Sequence, residues 1–367
     1  MMTFHCDYCG QRLLFENVLC LQCEHTLGYL PDVKDLSALE PKGDGEWRAL
    51  SPAANGRHYR MCENYSKEQV CNWMLPVEDE SMLCRACRLN HTIPNLNDPE
   101  NPKRWARVEA AKRRLVYTLL ELKLPLVDKV ADPEKGLAFD LLMRPADGPS
   151  VMTGHLNGLV TIDVAEADSD VRERVRRNMG ERFRTLIGHF RHEVGHYYWD
   201  LLIRDTDELP RFRGLFGDER ADYAAALKKN YEEGAPADWE SHHVSAYASC
   251  HPWEDWAETW GNYLHMVDTS ETARDAGLVL EQPADRVTKL RRVPELETAS
   301  SFDRLLTAWF PLTFALNNIN RGLGLPDLYP FFLSDAVIAK LKFVHSVIGR
   351  VTANGAASLR RQHRLAA

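Results

Sequence analysis

The 367-residue sequence has no apolar run long enough to cross a bilayer. Its longest candidate, LLTAWFPLTFAL, is interrupted by Pro311 and falls short of the ~18 residues that a helical span requires. The first residues, MMTFHCDYCG, lack the basic stretch and apolar core of a signal peptide. Both absences lead us to expect a soluble, cytoplasmic protein with no membrane partner. An excess of positive charge is missing as well: the net charge is −8, and residues 1–100 hold 9 Lys and Arg against 15 Asp and Glu. Nucleic-acid binding needs phosphates neutralised, so an acidic front argues against that partner. Internal repeats and low-complexity tracts are absent. After residue 87 cysteine is nearly absent too, leaving only Cys250, which reads as a small buried residue.

The other eight cysteines crowd the front. Cys6, Cys9, Cys20 and Cys23 form C-x2-C-x10-C-x2-C. Each C-x2-C turns two thiolates toward one ion, and two such knuckles complete a closed four-thiolate zinc site. In a chain with no export signal, close cysteine pairs read as metal sites rather than disulfides. Cys62, Cys71, Cys84 and Cys87 form a second, looser set with gaps of 8 and 12 residues before its single knuckle. A second structural zinc site is expected there, with His58 and His91 close enough in sequence to replace one thiolate. Regular apolar periodicity is scarce in this stretch, so metal-binding free energy should supply much of its folding.

These features divide the chain into a zinc ribbon at 1–30, a second four-cysteine module with a linker at 31–100, a third domain at 101–350 and a disordered tail at 351–367. The linker is TIPNLNDPENPK, rich in Pro, Asn and Asp. Helical spacing runs through RWARVEAAKRRLVYTLLELKL up to Pro125, and again over 169–203, 219–231, 253–267 and two segments between 302 and 348. HLNGLVTIDVAEAD reads as strand. The fold class expected is α+β, with zinc-binding modules ahead of a mostly helical domain containing a small sheet.

Within the 169–203 pattern lies His192-Glu193-Val194-Gly195-His196, an H-E-x-x-H. Residues i and i+4 share a helix face with Cβ atoms ~5–6 Å apart, so His192 and His196 can meet one zinc ion. Glu193, rotated ~100° about the axis, suits a general base acting on a metal-activated water. Gly188 and Gly195 cost helix stability and point to close approach by another element; His189 reads as supporting or core. A third ligand is needed. Candidates are Asp218, Glu219 and Asp222 in FGDERADY, and Glu254, Asp255 and Glu258 in HPWEDWAETWGNYLH. On a helix the second group puts Glu254, Glu258 and Gly261 on one face and Trp253, Trp256 and Trp260 on another, which favours it. The carboxylates of the first group would instead pair with Arg211 or Arg213.

Residues 247–258, YASCHPWEDWAE, resemble the third-ligand segment of the anthrax lethal factor type of metalloprotease and other gluzincins. That resemblance implies Glu254 as zinc ligand, Tyr247 as oxyanion stabiliser and Glu258 as a carboxylate behind a zinc-bound histidine. More broadly, the ribbon-like front joined to GHLNGLVTIDVAEAD, HFRHEVGHYYWD, FGDERADYAAAL and HPWEDWAETW resembles a bacterial family of zinc-binding metallopeptidases with an N-terminal zinc ribbon. It implies a zincin-like fold with one catalytic and two structural zinc ions. In zincins an extended substrate adds to a sheet edge near the metal, a role for which His155–Val164 is placed in the right order. The expected function is zinc-dependent hydrolysis of a peptide or protein substrate. The same ligands also suit cobalt or manganese. The alternative is a scaffold without turnover, its ribbon recognising a protein partner.

Overall fold

The computed structural model describes residues 1–144, 151, 153–173, 185–282, 286–289, 299–330 and 332–365. The chain is of the α+β class and separates into two compact units. Residues 1–117, 127–154 and 158–168 form the first; residues 118–126, 155–157 and 169–367 form the second.

The first unit opens with a hairpin, β1 (Phe4–His5) and β2 (Arg12–Leu13), whose strands flank the first cysteine pair. A five-stranded antiparallel sheet follows, its strands neighbours in chain order: β3 (Thr26–Leu30), β4 (Asp35–Gly43), β5 (Glu46–Ala49), β6 (His58–Met61) and β7 (Met74–Pro76). Because β3 and β4 pair from Thr26↔Leu39 to Leu30↔Asp35, the ribbon and the second cysteine module share one sheet across residue 30. Asp7, inside the first knuckle, adds a tie by accepting from Ser37 Oγ at 3.0 Å and from the Ala38 amide at 3.3 Å. After a single-turn helix, α1 (Glu63–Ser66), the long helix α2 (Asn101–Glu121) lies where its periodicity predicts. Its Tyr117 closes an aromatic core with Phe15, Tyr29 and Trp73, ring centroids 4.8–5.5 Å apart along that chain. In this unit β8 (Asn90–Thr92), β9 (Ala138–Leu142) and β11 (Leu159–Asp163) form a parallel sheet. The sequence reads 155–164 as one strand, but Asn157 and Gly158 take φ of 50° and 80°. That left-handed Asn-Gly turn separates β10 (Gly154–Leu156) from β11.

The second unit is helical: α3 (Leu186–Leu202), α4 (Leu209–Phe216), α5 (Tyr223–Glu233), α6 (Pro252–Asp275), α7 (Ala299–Gly322) and α8 (Asp335–Leu365). A short pair of strands, β12 (Val279–Gln282) and β13 (Arg286–Lys289), follows α6. The helical pattern expected over 169–203 lies partly outside the described residues. Helix α3 itself starts where Thr185 Oγ1 accepts the Gly188 amide at 3.0 Å. His251 caps α6 by accepting the Trp253 amide at 3.1 Å, with Pro252 at the first helical position and Glu254 and Asp255 in the first turn. Acidic side chains there complement the positive end of the helix. Helices α3 and α6 touch at Gly195: a Cβ built there would lie 3.0 Å from the Ala257 Cα. Trp256 Nε1 donates to the Gly195 carbonyl at 2.8 Å, and Trp260 stacks on Tyr198 at 4.9 Å. The backbone of α8 is helical to Leu365, where the sequence sets 351–367 apart as a disordered tail. Among the described residues, no helix is long and apolar enough to cross a membrane.

Candidate metal centres

Among the described residues, three groups of side chains able to ligate a metal come together, each with its ligand atoms within 4.8 Å of one another: Cys6, Cys9, Cys20 and Cys23; Cys62, Cys71, Cys84 and Cys87; and His192, His196 and Glu254. In the first, each knuckle turns back on itself. The Gly10 amide donates to the Cys6 carbonyl and the Glu24 amide to the Cys20 carbonyl, both at 2.8 Å. Gly10 and Glu24 follow their knuckles at φ of 76° and 61°, the left-handed conformation this reversal needs. Sulfur atoms of Cys6 and Cys23, and of Cys9 and Cys20, are 3.6 Å apart; those of Cys71 and Cys84 are 3.8 Å apart. Thiolates ~2.3 Å from a tetrahedral ion stand about 3.8 Å from each other, so both sets fit zinc. All are free thiols rather than disulfides. The second set is fully enclosed, and amide hydrogens of Trp73 and Cys84 point at the Cys71 and Cys62 sulfurs at 3.3 Å. His58 pairs with Glu46 and His91 with Asp140, so each is engaged elsewhere.

The third group is built by α3 and α6. His192 Nε2 and His196 Nε2 are 3.2 Å apart, and Glu254 reaches them with Oε2 at 3.0 Å from the first and Oε1 at 3.5 Å from the second. Two ligands ~2.05 Å from a tetrahedral ion would be about 3.3 Å apart. His192 Nδ1 lies 2.7 Å from Glu258 Oε1 and donates to it, which turns Nε2 toward Glu254. Glu254 Oε2 is buried and accepts no hydrogen bond. A buried carboxylate oxygen and two imidazole nitrogens converging within 4.8 Å of one another fit a bound cation. Burial alone would raise the Glu254 carboxyl, but His196 and His192 outweigh it and hold it well below the usual range. Burial raises the Glu193 carboxyl, and His192 and His196 oppose that shift. Glu193 is 7% exposed, on the helix between the two histidines.

Around this centre the other sequence candidates separate. Glu258 Oε2 accepts from Ser245 Oγ at 2.6 Å, completing a His192–Glu258–Ser245 chain. The Tyr247 ring lies 6.0 Å from His192. Asp255 turns the other way, to Lys340 Nζ at 2.5 Å and His243 Nδ1 at 3.2 Å. Glu219 pairs with Arg213 at 2.9 Å and Asp218 with Arg220 at 2.8 Å, while Asp222 caps α5. Trp253 departs from the face assigned to it: Trp256 and Trp260 are buried, whereas Trp253 lies over His196 with ring centroids 4.0 Å apart. His189 is nearly enclosed, and Cys250 only half-buried, with burial pushing its thiol up to about 12. His155, one turn of chain ahead of β11, has its ring 6.3 Å from that of His196. Spacing did not point to Tyr223, whose hydroxyl donates to Glu254 Oε1 at 2.7 Å.

Zinc ribbon, H-E-x-x-H helix and converging carboxylate together define a zinc-binding metallopeptidase class. A family model described as "Putative zinc-binding metallo-peptidase" matches residues 101–347, and one for a zinc-ribbon domain matches residues 3–98. The chain belongs to this metallopeptidase family and carries its zinc ribbon in front. It is 42% identical to uncharacterized proteins of Mycobacterium bovis and Mycobacterium tuberculosis over 352 residues, covering 96% of this chain and 96% of each relative. No solved structure matches.

Proposed function

We propose that the protein hydrolyses peptide bonds at the centre formed by His192, His196 and Glu254, as a cytoplasmic peptidase acting on a peptide or protein substrate. The observation that carries this reading is the convergence of these three residues beside a buried glutamate, Glu193, that is not among them. Zinc held there would supply Lewis acidity, lowering the pKa of water and polarising a carbonyl. Glu193 takes the proton of the attacking water and returns it to the amine that leaves. Tyr247 donates its hydroxyl to the developing oxyanion. Glu258, held by Ser245, keeps the His192 imidazole in the tautomer a ligand needs. Extended substrate lies along the chain near His155, in the manner of strand addition. The two cysteine clusters hold structural zinc.

The test is Glu193→Gln, assayed with metal content against a quenched-fluorescent peptide library. Zinc should be retained while hydrolysis falls by about 10²–10⁴-fold. Cleavage at the wild-type rate by the variant would sink the mechanism.

A further inference from the structure

We propose that Tyr223 is a positioning residue of the third metal centre: its hydroxyl occupies one oxygen of Glu254 and leaves the other alone for the ion. This rests on the reading of Glu254 as a ligand. The two carboxylate oxygens are not equivalent. Oε1 accepts the Tyr223 hydroxyl at 2.7 Å, whereas Oε2 lies 3.0 Å from His192 Nε2 and accepts no hydrogen bond. A carboxylate unrestrained at both oxygens can rotate and grip an ion through both, filling the position that a hydrolytic site must keep open. A hydroxyl bonded to Oε1 fixes that rotation.

Tyr223 is itself held for this task. It is the first residue of α5, where Asp222 Oδ1 accepts the Ala225 amide at 3.0 Å. Its ring stands edge-on to His251 and Trp253, with centroids 5.2 and 6.0 Å away. His251 caps α6, the helix that carries Glu254, and its Nε2 donates to the Ala221 carbonyl at 3.1 Å. Nδ1 accepts the Trp253 amide, so one imidazole joins the residues ahead of Tyr223 to the turn that bears the ligand. A core-filling role does not explain the tyrosine, because α5 buries none of its residues and Tyr223 is 37% exposed. Phenylalanine would keep those ring contacts; the hydroxyl is what reaches Glu254.

The experiment uses the full-length protein as wild type, Tyr223→Phe and Glu254→Ala. The affinity of the third site for zinc is measured by competition with a chromophoric chelator. Cobalt is then loaded into that site alone, with the cysteine clusters left zinc-filled, and its visible absorption recorded. Phe keeps the ring contacts, and circular dichroism checks the fold. Support is a Tyr223→Phe affinity about 10–100-fold weaker, as for other partners of metal ligands, with a fainter cobalt spectrum marking a higher coordination number. An unchanged cobalt spectrum in Tyr223→Phe, while Glu254→Ala loses the ion, overturns the proposal and leaves the ligand assignment standing. An ion kept by Glu254→Ala at wild-type affinity overturns both.

Discussion

At the scale of single residues, the proposed centre would depend on side chains that are not among its three ligands. Ser245 Oγ donates to Glu258 and also accepts the Ala248 amide at 3.1 Å, which fixes the serine between the short turn 247–249 and α6. Glu258→Ala removes the acceptor for the His192 Nδ1 hydrogen, and zinc affinity at the third site should fall by about 10–100-fold. Ser245→Ala leaves the acceptor in place but loosens it, so its loss should be smaller. Chelator competition on both variants checks the order; a larger loss from Ser245→Ala would contradict the chain. The histidines and Glu193 were legible in the sequence because the H-E-x-x-H fixes their geometry within one helical turn. The cysteine knuckles were legible because each C-x2-C brings its two thiolates together within one tight turn. Tyr223 and Ser245 were not, since 31 residues separate Tyr223 from Glu254 and 13 separate Ser245 from Glu258, and no local spacing encodes either contact. Trp253 was misplaced because it sits in the first turn of α6, beside the ligand, where the site rather than the core receives its ring.

At the scale of elements, α3 and α6 must lie close enough to bring a carboxylate to two histidines. Gly195 permits this. In Gly195→Ala the new methyl would meet the Ala257 Cα at 3.0 Å and the Trp260 Cβ at 3.3 Å. Alanine favours an isolated helix by ~1 kcal/mol, but overpacking against backbone costs typically ~1–3 kcal/mol. The net expectation is a lower Tm and weaker zinc binding at the third site, measured by thermal melting and metal analysis. A Tm at or above wild type would show that the helices part at no cost. The same pair of helices also carries a pH dependence. Burial and the Arg191 guanidinium, whose Nη1 lies 2.7 Å from His265 Nδ1, hold the His265 imidazole well below its ordinary value. The unfolded chain therefore takes up a proton below ~6.5 that the folded chain refuses. Stability from this source is complete above that pH and drains away as pH falls. Urea midpoints between about pH 7.5 and 5.5 should decline in wild type and decline less in His265→Gln; equal slopes would refute the assignment. The helices were legible from their apolar spacing and caps. The Asn157–Gly158 turn was a legible signal that the run of Leu159, Val160 and Ile162 overshadowed. Which carboxylate faces α3 follows from the Gly195 contact, a matter of packing.

At the scale of the whole molecule, the three candidate metal sites differ in ligand type and in burial, and these two together should set the order in which they empty. Cys62, Cys71, Cys84 and Cys87 are each no more than 2% exposed; the first two fall between β6 and β7 and the last two after β7. In the ribbon, Cys9 is exposed and Cys23 half-buried, so thiol reagents can reach those sulfurs without unfolding. Attack on the second cluster requires the first unit to open, because its sulfurs lie in the same core as Trp73. The third site uses nitrogen and carboxylate ligands and lacks the thiolates that bind zinc most tightly. A dilute chelator should therefore withdraw the third ion first and stop peptide hydrolysis while circular dichroism is unchanged. A mercurial or alkylating reagent should next release the ribbon zinc, labelling Cys9 and Cys23 ahead of the other cysteines. The last ion should leave only together with the cooperative unfolding of the first unit, since metal and fold stabilise each other there. Metal content followed against labelled cysteines, by mass spectrometry of the digested chain, reads all three stages. Labelling of Cys62 or Cys84 as early as Cys9 would show that the second cluster is open in the folded protein and that burial does not set the order.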